Sequence, residues 1–198
     1  MTAAAKVSRG PGRPRNEATD AAILDAAIEE LIDRGFIAAT MESIAARAGV
    51  AKTTVYRRFP NTTDLAMAVM RSFEQGSLEP PDGSVRDQLV HLGDVMRRLW
   101  GNPRYAALMR RVAADGTVQP EVYKACRDRL IGPFVRSMNT VIRRGVDEGL
   151  IRPDVDVEWV RQLLVGPVMA AALTHKERIT RAQLELTVDT ILAGLAPR

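Results

Sequence analysis

At 198 residues the chain is long enough to bury a real core, as one domain or two modest ones. Apolar residues make up 46% and aromatics 5%; Ala, Leu, Val and Arg are abundant and β-signals scarce, so a mostly helical protein is expected. The net charge of +4 is informative through its placement, because residues 1–15 hold Lys6, Arg9, Arg13 and Arg15 and no acid, a charge equal to the whole excess. A lone cysteine, Cys126, excludes an internal disulfide and fits a reducing compartment. The N-terminal ten residues lack the apolar core of a signal peptide, and the longest apolar run, 163–173, is too short to cross a bilayer. A soluble, cytoplasmic protein with no membrane partner is expected.

Residues 1–16 are rich in Ala, Gly, Pro and Arg and show no periodicity, which reads as a disordered basic arm. Gly12-Arg13-Pro14 with Arg15 beside it resembles an AT-hook core. An extended arginine arm of this kind suits a narrow minor groove, and a solvated tail attracting phosphates nonspecifically is the alternative. A first helix is expected from Glu17 to Arg34. Ile23, Ala27 and Leu31, with Ala26 and Ile28, form its apolar stripe, and Asp25, Glu29, Glu30 and Asp33 face water. Gly35 stops it and Phe36 closes it.

The stretch 40–59, TMESIAARAGVAKTTVYRRF, reads as two short helices around a tight turn. Thr40 caps the first of them, and Ile44, Ala45 and Ala48 form its inner face. Gly49 supplies the turn at positive φ, and Val50 plugs the corner. In the next helix, Lys52 to Phe59, Val55 and Phe59 point inward. The helical period then turns Thr53 and Arg57 outward, with Thr54 and Tyr56 on the flanks and Lys52 near the positive end of the helix dipole. Hydroxyls, a phenol and arginines on one short outward face suit phosphates and base edges. An ordinary solvated face would explain Arg57 and Arg58 taken alone, but not the Ala45–Gly49–Val50–Val55 frame beneath them.

Thr40, Ile44-Ala45, Ala48-Gly49-Val50, Lys52, Thr54-Val55-Tyr56, Phe59-Pro60 and Leu65 together resemble the DNA-binding domain of the tetracycline-repressor (TetR) family of bacterial regulators. The resemblance covers residues 17–73. It implies a recognition helix at Lys52–Phe59, a connecting fourth helix, a homodimer and a palindromic operator on double-stranded DNA. The DNA contacts expected are Thr40, Lys52, Thr53, Thr54, Tyr56, Arg57 and Arg58, with Arg13 and Arg15 from the arm. Two positions depart from the family pattern: Ala51 stands where serine is frequent, and Thr62 where a phosphate-contacting lysine is frequent. The expected architecture is all-α. A three-helix helix-turn-helix domain with a fourth, connecting helix occupies 17–75, and a larger regulatory and dimerisation domain occupies 76–198, about nine helices in total.

Asn61 and Asp64 cap the fourth helix, whose stripe is Leu65, Ala68, Val69 and Phe73, and a Pro/Gly-rich connector (76–83) follows it. Ser84 caps a helix with Val85, Leu89, Leu92, Met96 and Leu99 on its core face. Asn102-Pro103 opens a helix through Ala114. Pro120 opens one to about Glu148, kinked at Gly132-Pro133 and closed by Gly149. Asp156 starts the next, kinked at Gly166-Pro167, and Thr180 with Gln183 starts the last. The segment 149–168 resembles the regulatory domain of one TetR subgroup, in which the last two helices pair with their twins. The face expected there is Leu163, Leu164, Val168, Ala171, Ala172, Leu184, Val188, Ile191 and Leu195. A pocket for a small apolar effector, also implied by the resemblance, would draw on Met96, Trp100, Tyr105, Met109, Tyr123, Phe134, Met138, Trp159 and Met169.

The resulting expectation is a sequence-specific, ligand-released repressor, cytoplasmic and nucleoid-associated. The alternative is an architectural DNA binder that uses the arm and senses nothing. An enzyme is not expected, since His91, His175 and Cys126 sit in no triad or metal-ligand pattern and no glycine loop cradles a phosphate. No metal or cofactor is expected.

Overall fold

The computed structural model of the chain describes residues 17–73, 76–115, 124, 127–174 and 178–197. Among them all regular structure is helical: nine α-helices and one π-helical turn. The arm with Arg13 and Arg15, and also Tyr123, Cys126 and His175, lie outside the described residues.

Helix α1 (Glu17–Ala38) buries Ile23, Ala26, Ala27, Ile28 and Leu31, as its periodicity predicts. Its expected end at Gly35 is a break instead of a stop. Gly35 has φ 79° and ψ 175°, and a last turn of helix follows it to Ala38. Any Cβ is strained at such a φ, and here it would also collide with Arg111 and Asp115. Gly35→Ala is therefore expected to cost about 1–3 kcal/mol. Urea unfolding reads this directly, and an unchanged midpoint would remove the strain argument.

One charged residue departs from expectation. Asp25, Glu29 and Asp33 are exposed, but Glu30 is buried. Arg47 of α2 (Met41–Ala48) forms an ion pair with its carboxylate at 2.9 Å and Arg34 another at 3.3 Å. The carboxylate left water because a neighbouring helix supplies its counter-charge, which the period of α1 alone does not reveal.

Helix α2 begins on a complete capping box, with the Ser43 N–H donating to the Thr40 hydroxyl at 3.1 Å and the Thr40 N–H to the Ser43 hydroxyl at 3.1 Å. It ends on Gly49 at φ 65°, and the Val50 N–H reaches back to the Ala45 carbonyl at 3.0 Å. Helix α3 (Lys52–Arg58) has Ala51 at its N-cap and no side-chain cap. Helix α4 (Thr62–Arg71) is capped by Asn61, which accepts from the Asp64 N–H at 2.8 Å.

Ser84, Asn102, Asp156 and Thr180 precede the next elements as their chemistry predicts. They are α5 (Val85–Trp100), α6 (Pro103–Asp115), α8 (Val157–Leu173) and α9 (Arg181–Leu195). Between α6 and α8, a π-helical turn (Arg127–Ile131) leads into α7 (Gly132–Asp147). The bend expected at Gly132-Pro133 takes this form. Proline has no N–H for an ordinary α-helical bond, and a wider turn absorbs the gap. Helix α8 runs on through Pro167.

Two apolar cores result. The first joins α1 to α4 through Ile23, Leu31, Ile44, Val55 and Leu65, and it also takes in Tyr105, Leu108, Met109 and Val112 of α6. The second joins α5, α7, α8 and α9 through Leu89, Leu92, Met138, Ile142, Leu164 and Val188. Helix α6 thus packs beneath α1, although it lies beyond the 76–83 connector. Arg104 of α6 pairs with Asp25 and Glu29, at 3.0 and 2.9 Å. The Phe36 N–H donates to buried Asp115 at 2.9 Å, and Arg111 donates to the Arg34 carbonyl at 2.9 Å.

Candidate nucleic-acid interface and ligand chamber

With Val55 fully buried, α3 turns Lys52, Thr53, Tyr56 and Arg57 to solvent, while Thr54 and Arg58 are half-buried. Tyr56 is 40% exposed, high for a large aromatic with no partner in the core. Two cations on this helix are already engaged. Arg58 folds back onto α1, where its Nε donates to the Asp20 carboxylate. Lys52 pairs with Glu42 of α2, its ammonium 5.4 Å from the Tyr56 ring centroid. The hydrogen bond to Lys52 holds the Glu42 carboxyl below the usual carboxylate range and raises the ammonium in return. Thr40 is exposed beside this face and is committed to its capping box. Asp20 and Glu42 were missed in the sequence because no spacing rule links them to α3. The helical period does place Thr53, Tyr56 and Arg57 together.

Residues 23–69 match the family model described as bacterial regulatory proteins, tetR family, and residues 79–191 match that of the tetracyclin repressor-like C-terminal domain. The HTH-type transcriptional regulator YdeS of Bacillus subtilis is 31% identical over 186 residues, 93% of this chain and 93% of that protein. The chain belongs to the TetR family. A TetR-family repressor of Mycobacteroides abscessus, the DNA-binding transcriptional repressor TetR, is 30% identical over 167 residues, covering 82% of this chain and 83% of that one. In fold, the chain is similar to the fatty acid degradation regulator FadR from Bacillus halodurans. The TM-score is 0.70 at 19% identity, over 89% of this chain and 99% of that one. The protein is thus a DNA-binding transcriptional regulator of the TetR family.

Between the end of α4 and the helices of the C-terminal region lies an apolar chamber of about 210 Å³, lined by Met70, Gly76, Leu78, Val95, Met96, Leu99, Trp100, Tyr105, Ile131 and Phe134. Phe73 and Trp100 both stand edge-on to Tyr105 with centroids 5.6 Å away. Of the residues expected to line a pocket, the chamber collects Met96, Trp100, Tyr105 and Phe134. Of the others, Met109 is in the first core, Met138 in the second with Met169 packed against it, and Trp159 is 58% exposed, while Tyr123 lies outside the described residues. Chain order does not say on which side of α5 a methionine falls.

The residues expected to pair two TetR-family protomers divide between the inside and the outside of the single chain. Leu164, Val168, Leu184 and Val188 are buried inside a single chain, and Ala171, Ala172, Ile191 and Leu195 are half-buried. On the outside lie Trp159, Leu163 and Ala170 of α8 and Leu186 and Ala193 of α9. Helix α8 is apolar nearly all round, so periodicity could not separate its inner and outer faces.

Among the described residues no group of His, Cys, Asp and Glu could hold a metal ion, and no helix is long and apolar enough to cross a membrane. His91 has a local role, its Nε2 lying 3.0 Å from the Ser77 carbonyl of the connector.

Proposed function

We propose that the protein is a dimeric repressor that reads a palindromic operator with α3 and releases it on binding a small apolar effector. The observation that carries this reading is the outward face Thr53–Tyr56–Arg57 on a helix fixed by fully buried Val55. Thr53, Tyr56 and Arg57 would meet base edges, and Lys52, Thr54 and Thr40 nearby phosphates. Arg58, tied to Asp20, would hold α3 against α1 and present the remainder of its guanidinium to the backbone. Two copies joined through Trp159, Leu163 and Leu186 would set their recognition helices about one helical turn of DNA apart, roughly 34 Å.

Effector binding in the chamber has a short route to the DNA. Tyr105 lines the chamber and belongs to α6, whose Arg104, Arg111 and Asp115 grip α1. A ligand that fits one placement of α6 better than another shifts the dimer between two spacings, and only that difference in affinity releases DNA.

Fluorescence anisotropy across a salt series, comparing the gene's own upstream region with random DNA, tests the reading. Specific regulation requires tighter binding to the upstream region at every salt concentration, and equal affinity throughout would end it. A companion variant probes the Lys52–Glu42 pair. Glu42→Gln frees the ammonium for phosphate and removes a nearby negative charge, so random-DNA affinity should rise and the log–log salt slope steepen by about 0.9. An unchanged slope would mean that Lys52 reaches no phosphate.

A further inference from the structure

A second cleft, of about 180 Å³, opens between the α5–α6 corner, the C-terminal half of α8 and the residues leading into α9. It shares Trp100 with the apolar chamber and is otherwise lined by different residues. Its floor is apolar, formed by Trp100, Val168 and Ile179, and its wall is cationic, formed by Arg97, Arg110 and Arg178.

Among the described residues these guanidiniums have little counter-charge. Buried Asp94 accepts from Arg97 at 2.7 Å, but the same carboxylate also holds Arg98, which with Arg97 and Arg178 lines another recess. Arg110 reaches the Ala172 carbonyl at a long 3.4 Å, a weak contact with the last turn of α8. Arg178 has no ion pair among the described residues. Three guanidiniums, Arg97, Arg110 and Arg178, therefore line one recess, and among the described residues Arg97 alone of them has an ion pair; where the recess is partly desolvated, like charges repel more strongly than in water. An anion seated between them would relieve that repulsion.

We propose that this cleft binds a small organic anion, its carboxylate or phosphate head held by Arg97, Arg110 and Arg178 and its compact apolar body lying on Trp100, Val168 and Ile179. Guanidinium forks match a pair of oxygens on either head, and the apolar floor selects against a bare ion. The site joins the first core, through α6, to the second, through α8. Its ligand differs in charge from the one that suits the apolar chamber, and its occupancy is measurable without DNA.

Calorimetric titration of the whole protein with benzoate, phenyl phosphate, neutral benzamide and inorganic phosphate tests this. Benzoate or phenyl phosphate should bind once per chain, and whichever is tighter identifies the head group. Benzamide and inorganic phosphate should each bind at least about tenfold more weakly, the worth of a charge-assisted contact or an apolar body. Arg178→Ala should weaken the preferred anion about tenfold and Arg178→Lys less; Arg178 is exposed, so both variants should fold, with circular dichroism as the check. Benzamide binding as tightly as benzoate would overturn the proposal, as would no effect of Arg178→Ala or no binding up to roughly 10 mM. So would an equal loss on Met96→Ala, which would place the anion in the apolar chamber.

Discussion

Replacing Tyr56 or Arg57 by alanine should lower operator affinity by about ten- to a hundredfold each, while affinity for random DNA falls far less. A well-placed base-edge contact is worth about 1–3 kcal/mol of discrimination, and both side chains stand outward on a helix whose fully buried Val55 fixes their direction. Deleting residues 1–15 should have the opposite signature. Each arginine lost from phosphate contact flattens the salt slope by about 0.9 and weakens operator and random DNA alike. Anisotropy on both DNAs separates the two effects. If the deletion abolished binding while Tyr56→Ala and Arg57→Ala left it intact, the basic arm would be the reader and the protein an architectural binder.

Arg47→Ala should clearly destabilise the DNA-binding side without touching DNA. It leaves Glu30, 2% exposed, with Arg34 at 3.3 Å as its remaining cation. Breaking a buried pair from one side costs about 3–5 kcal/mol. Arg47 is itself 36% exposed and solvent softens the loss, so a fall in Tm of roughly 5 °C is expected. The cause can be isolated. Adding Glu30→Met to Arg47→Ala removes the stranded charge at similar volume and should recover much of the loss. If the double variant melted no higher than the single one, the lost Asp33–Arg47 bridge or altered packing would be responsible instead.

Much of the fold was legible because it is written locally. Thr40, Gly49, Asn61, Ser84, Asp156 and Thr180 each act on backbone groups within a few residues, and each marks an element boundary in the structure. The outward direction of Thr53 and Arg57 follows likewise from one buried valine and a 3.6-residue period. What was not legible depends on neighbours distant in sequence. Glu30 reads as a surface acid until Arg47 arrives from α2, and Arg58 reads as a free cation until Asp20 is found beside it. Helix α8 is ambiguous for another reason: with Leu163 and Leu164 adjacent and both large, the sequence offers two candidate inner faces. Only packing against α5, α7 and α9 decides that Leu164 goes inside.

The placement of α6 bears on modularity. Regulators of this layout invite the idea of a detachable reading head that could be excised at the Gly-rich connector and spliced onto a foreign sensor. Here that cut would strip Leu108, Met109 and Val112 from the head and leave the underside of α1 bare, together with the backbone N–H of Phe36 that Asp115 satisfies. A transplantable unit must carry α6 with it, and α6 comes attached to the chamber wall. In this protein the helix-turn-helix and the helices around the apolar chamber are therefore constrained to change together.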